Sequence, residues 1–125
     1  NPKYLEEEIR IQAQEIRDRV SKVRAYKPKA KLSNRTLIVT DDGIATGSTF
    51  YAVLQVLKAE HPNQIIAAVP VLPKDQVKPL KKMCDKVIYL NAASDFYAVG
   101  QFYQNFQTVE FEEVFNLLKD SSLPK

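Results

Sequence analysis

A single cysteine, Cys84, is all that this sequence offers for thiol chemistry, so no internal disulfide can form. One cysteine and one histidine, His61, do not make a ligand set, and a structural zinc site is excluded with them. Apolar runs are short, and none approaches the ~18 residues that a membrane span needs. An apolar leader with a small-residue cleavage site is missing as well. Few thiols, no span and no leader together point to a reducing cytoplasm and no membrane partner. There are no internal repeats and no low-complexity tract.

What is present fits one globular domain or a large part of one: 125 residues, 45% hydrophobic and 26% charged. The formal net charge is +3 and the pI is near 9.0. Much of the excess lies in 24–35, where Lys27, Lys29 and Lys31 meet no acid. A basic run can touch nucleic acid or an anionic substrate. No aromatic residue interleaves among these lysines for base stacking, so a solvated linker is the simpler reading and nucleic acid is not expected. The sequence opens on Asn1 instead of Met, and reads as a segment processed or cut from something longer.

Leu5, Ile9, Ile16, Val20 and Val23 recur at helical spacing and predict one amphipathic helix over 4–24. A connector follows over 26–34. Residues 36–40 are apolar and β-branched, as in a strand buried in a sheet. A helix is predicted over 48–60, closed by His61-Pro62-Asn63. The second strand is predicted over 65–69, with Pro70 and Pro73 limiting it. Asp75 is a suitable N-cap for a short helix to about Met83, and 87–90 reads as a third strand. The segment 96–106 is rich in aromatics, and 109–119 can form a last amphipathic helix. Alternating strands and helices predict a parallel α/β sheet, whose ligands bind beyond the carboxyl ends of the strands.

At such an end lies "VTDDGIATGST", residues 39–49. Residues 45–49 would present successive N–H groups at a helix start, where the helix dipole also favours a phosphate. Gly47 permits close approach, and the hydroxyls of Thr46, Ser48 and Thr49 add donors. Gly43 and Gly47 are too close for a nucleotide P-loop, and no lysine follows them. Asp41 and Asp42 would repel a phosphate, but carboxylates accept hydrogen bonds from a ribose diol and attract Mg²⁺, often through water. Loop and acids can therefore grip two ends of one sugar phosphate.

Leu37, Ile38, Val39, Thr40, the acids Asp41 and Asp42, then Gly43, Ile44, Ala45, Thr46, Gly47, Ser48 and Thr49 resemble a known motif. It is the phosphoribosyl pyrophosphate (PRPP) motif of type I phosphoribosyltransferases. "VPVLP" and "FYAVGQFYQNF" are similar to segments of a bacterial group of this family. The resemblance implies a three-layer parallel sheet with flanking helices, in an incomplete version of that fold. It implies that the chain is the C-terminal part of a single domain, with the helix 4–24 ahead of an α/β core at 36–119. It implies a 5′-phosphate site at 43–49 and a ribose or metal site at Asp41 and Asp42, with Mg²⁺ carried in by PRPP. Tyr97 would stack on the base, with Ala98 and Val99 offering backbone contacts. Core packing of Phe96 and Tyr97 at the sheet end is the plainer alternative.

Ala45 stands where hypoxanthine-type relatives carry an acid, and Gln104 stands near the position of a second, which disfavours a 6-oxopurine acceptor. The family's pyrophosphate loop and mobile catalytic loop would lie upstream. Catalytic residues are thus not assigned, and this chain alone is expected not to turn over PRPP. The edge of strand 36–40 is expected to be covered by the N-terminal helix, a second copy in a homodimer, or a further segment of the same protein. The leading function is transfer of ribose 5-phosphate from PRPP to an unidentified nitrogenous base, with release of pyrophosphate. A non-catalytic PRPP- or nucleotide-sensing module is the alternative; a phospho-acceptor receiver is weak, because Asp85 precedes its strand. Catalysis by His61, a nucleophilic Cys84, and a Lys74 that reaches a base carbonyl each stand behind a plainer structural role.

Overall fold

Asn1 and Pro2 decide where the first helix starts. In the computed structural model, which describes residues 1–121, α1 runs Pro2–Tyr26, two residues beyond the predicted span at each end. The Asn1 side chain accepts from Lys3 N at 3.2 Å, and Pro2 loses nothing at a position whose N–H is unpaired anyway. The helix stops at Tyr26 because Lys27 precedes Pro28 and is forced into extended backbone, φ −134° and ψ 114°. Among the described residues, no helix is long and apolar enough to cross a membrane.

The chain divides into two compact units. The first joins Asn1–Ala30 to the chain from Gln107 onward, and there α4, Phe111–Asp120, packs beside α1. Tyr26 meets Phe115 edge-on, with ring centroids 6.3 Å apart, and donates its hydroxyl proton to the Lys119 carbonyl at 3.1 Å. Lys22 Nζ sits 5.2 Å from the Phe115 ring centre. No residue of α1 or α4 is buried.

The second unit, Lys31–Phe106, holds a parallel sheet of order β1-β2-β3. These are Thr36–Thr40, Gln64–Pro73 and Lys86–Ala93, with α2, Ser48–Lys58, and α3, Val77–Met83, between them. Leu37 pairs with Ile65, and Ala67 with Val87. Ile65, Ala67, Val69 and Leu72 of β2 pack with Phe50 and Leu54 of α2 and Leu80 of α3 in one buried cluster, so both helices cover the same face. The predicted strand burial at 36–40 is only half realised. Thr36, Ile38 and Thr40 face outward, Ile38 is 68% exposed, and among the described residues β1 pairs with β2 alone.

Other boundaries also differ from the sequence reading. β2 passes straight through Pro70, because the ladder to β3 omits one rung between Val69–Tyr89 and Val71–Asn91 and then resumes. Proline removes one donor, and the three rungs beyond it, Val71–Asn91, Leu72–Ala92 and Pro73–Ala93, carry the strand on. Asp75 does not cap α3. It lies in a 3-10 turn, Lys74–Gln76, that starts directly after the extended Pro73, and α3 begins after Gln76 with no side-chain cap. The last helix starts at Phe111, after the extended Glu110.

Candidate functional site

β1 delivers the chain at its carboxyl end into the turn that leads to α2. Ile44 fastens this turn: its N–H donates to the Val71 carbonyl at 3.0 Å, and its side chain is buried in the core. Gly43 is a position of close approach. A Cβ there would fall 2.8 Å from Val99 Cγ1 and 2.9 Å from Val71 Cγ1. Gly47 is needed for its conformation, φ 86° and ψ −8°, in the left-handed region that disfavours side chains. It caps α2, and its carbonyl accepts from Tyr51 N at 2.8 Å.

The result is a run of free backbone donors. Among the described residues, the N–H groups of 45–49 find no backbone or side-chain acceptor. They border a depression of about 180 Å³ lined by Asp41, residues 43–50 and Val99. Thr46 Oγ1 and Ser48 Oγ lie 3.3 Å apart at its rim. Unpaired donors at a helix start, with hydroxyls beside them, make a cradle for an anion.

The acid pair stands next to this cradle. Asp42 N donates to Asp41 Oδ1 at 2.8 Å, and both residues are exposed. Desolvation pushes the Asp42 carboxyl above its ordinary pKa, and the charge of Asp41 and a hydrogen bond with it add to the rise. Asp41→Asn is therefore expected to lower the Asp42 titration midpoint, followed by carboxyl ¹³C shifts in ligand-free protein. An unchanged midpoint would exclude Asp41 as a cause. Among the described residues, no group of three or more His, Cys, Asp or Glu could hold a metal ion.

Of the expected base-binding residues, Val99 joins the depression, packed against Gly43. Tyr97 is 87% exposed, so it does not plug the sheet; Phe96 instead packs on Phe102, with tilted rings whose centroids are 5.4 Å apart. Both Ala98 backbone groups are engaged within the loop, the N–H to Gln101 Oε1 at 2.9 Å and the carbonyl from Gln101 N at 3.2 Å. Lys74 lines a second depression, at the carboxyl ends of β2 and β3, with Phe96 and Ser94. Two residues that sequence reasoning missed hold this region together, Gln101 and Tyr103. The Tyr103 hydroxyl donates to the Asp42 carbonyl at 2.5 Å, tying the aromatic tail to the acid pair. A polar residue inside the run "FYAVGQFYQNF" was the one available signal for Gln101. His61 lies just past the end of α2, and the partly buried Cys84 is spent on backbone carbonyls, with Sγ 3.3 Å from Leu80 O.

The family model of the phosphoribosyl transferase domain matches residues 4–107. Two Mycobacterium tuberculosis proteins, named "Putative phosphoribosyl transferase" MT0597 (strain CDC 1551) and Rv0571c (strain H37Rv), are similar to this chain. Each is 36% identical over 105 residues, which cover 84% of this chain and 24% of the relative. The crystal structure of TT1426 from Thermus thermophilus is also similar, with a TM-score of 0.81 and 36% identity over 96% of this chain and 57% of that one. This chain thus spans 24% of the length of the curated relatives that it matches.

Proposed function

Because this chain belongs to the phosphoribosyl transferase family, we propose that the depression after β1 binds PRPP for transfer of ribose 5-phosphate to a nitrogenous acceptor. The observation that carries this reading is the set of N–H groups at 45–49, unpaired ahead of α2 and beside two carboxylates. In this reading residues 43–49 hold the 5′-phosphate, with Gly47 turning the backbone toward it and Thr46, Ser48 and Thr49 adding hydroxyls. Asp41 and Asp42 accept from the ribose hydroxyls. Desolvation first and the charge of Asp41 next raise the Asp42 carboxyl; hydrogen bonds from a diol would offset the former and a divalent cation the latter.

Two carboxylates suit a hydrated Mg²⁺ that arrives with the substrate better than a resident ion, and Asp41 and Asp42 would hold it through water. Such an ion would neutralise charge on the departing pyrophosphate. The chain's own part is to fix the sugar phosphate and to present Tyr97 and Val99 toward the acceptor base. Displacement at the anomeric carbon passes through a cationic sugar, so rigid placement of phosphate and diol is the contribution these residues make. We take both units as parts of one transferase domain in the cytoplasm. None of these roles serves the pyrophosphate directly, so residues 1–125 alone are expected not to turn over PRPP, and in this reading a second copy or a further segment completes the site.

Titration with ribose 5-phosphate, followed by amide shifts, tests the phosphate site. The largest changes are expected at the amides of 45–49. If these stay still while amides elsewhere move, the anion does not bind at this turn.

A further inference from the structure

The aromatic loop is organised by one side chain, and Gln101 uses both ends of its amide on it. Its Oε1 accepts from Tyr97 N at 2.6 Å and from Ala98 N at 2.9 Å, and its Nε2 donates to the Asp95 carbonyl at 2.8 Å. Two N–H donors converge on one atom, which must be the oxygen, so the amide's orientation is fixed by its partners. The chain wraps around this side chain, turning Phe96 in against Phe102 and Tyr97 out into solvent. On either side of Gln101 the same segment is registered to the phosphate turn, through Val99 on Gly43 and through Tyr103 on the Asp42 carbonyl. A large apolar ring on a loop held at both ends is a surface set in advance, because ordering it on binding would cost rotamer and backbone freedom.

We propose that Gln101 is a positioning residue, which holds Tyr97 at a fixed place relative to the phosphate turn so that a ring carried on a sugar phosphate meets it without reordering the loop. This rests on the reading of the site given above. Gln101 touches no ligand in this scheme and acts through Tyr97 alone.

The test uses the 125-residue chain and two probes, adenosine 5′-monophosphate and ribose 5-phosphate, in titration calorimetry. Loss of the three hydrogen bonds in Gln101→Ala is expected to weaken the nucleotide by about tenfold and the sugar phosphate by less than about twofold. Gln101→Glu keeps an oxygen for Tyr97 and Ala98 but loses the donor to the Asp95 carbonyl, and is expected to recover part of that loss. Tyr97→Ala should cost about as much as Gln101→Ala, and the double variant no more than either, since both remove one platform. Equal weakening of both probes, or nucleotide affinity unchanged in Gln101→Ala, overturns the proposal. Should wild type bind neither probe, the phosphate-site reading fails. Amide exchange at Tyr97 and Ala98 then decides: at least about tenfold faster exchange in Gln101→Ala supports the positioning role, and equal rates overturn it.

Discussion

Gly47→Ala is expected to reduce affinity for ribose 5-phosphate by at least about tenfold and to lower the melting temperature at the same time. Two separate costs are involved. A side chain at φ 86° is in a conformation that costs roughly 1–2 kcal/mol. The new Cβ would also fall 2.5 Å from Tyr51 Cε2, so either the ring or the turn must move. A turn that moves changes the convergence of the neighbouring N–H groups on the anion. For a unit of the size of Lys31–Phe106, 1 kcal/mol shifts the melting temperature by about 4–8 °C. Adding Tyr51→Ala removes the clash and leaves the dihedral, so the double variant should melt closer to Tyr51→Ala than the sum of the two single losses. A Gly47→Ala protein that melts and binds like wild type would show that this glycine sets neither backbone nor site.

Asp42→Asn should weaken binding without weakening the fold. With Mg²⁺ present, PRPP affinity is expected to fall by about 10- to 100-fold, the worth of one or two hydrogen bonds to a charged group. The sign of the stability effect follows from the raised pKa. Ionised Asp42 is disfavoured in the fold, by desolvation first and by Asp41 next, and that cost is full above its folded pKa and fades as pH falls from there to the lower pKa of the unfolded chain. At neutral pH the amide removes the cost, so the melting temperature should hold or rise. Calorimetric titration and a thermal melt on the same sample decide it. Equal PRPP affinity in both proteins would remove Asp42 from the site.

The turn that carries these predictions was legible because its signal is local. Val39 to Thr49 combine a strand end, two acids and a glycine-hydroxyl helix start within one stretch, and backbone physics links such neighbours directly. β2 was misjudged at Pro70, since the sequence shows the missing donor and hides the partner strand that carries the ladder past it. The Asp75 cap failed for a similar reason, as Pro73 had already started a tighter turn. Tyr103 and Asp42 stand 61 residues apart, and no periodicity announces a bond between them. Gln101 was hidden in the same way, because a hydrophobic pattern registers the aromatics around it and not the amide they depend on.

The outward face of the sheet has a consequence for how the unit responds to temperature. Ile38 and Leu90, at 68% and 87% exposure, already contact water in the native protein, and so does much of Ile88. Those side chains gain little hydration when Lys31–Phe106 unfolds. Apolar hydration is what gives unfolding its positive heat capacity, so this unit has a smaller increment than a sheet of equal length sandwiched between two helix layers. Its free-energy curve against temperature is correspondingly flat, and whatever covers Ile38, Ile88 and Leu90 would sharpen that curve as well as raise it.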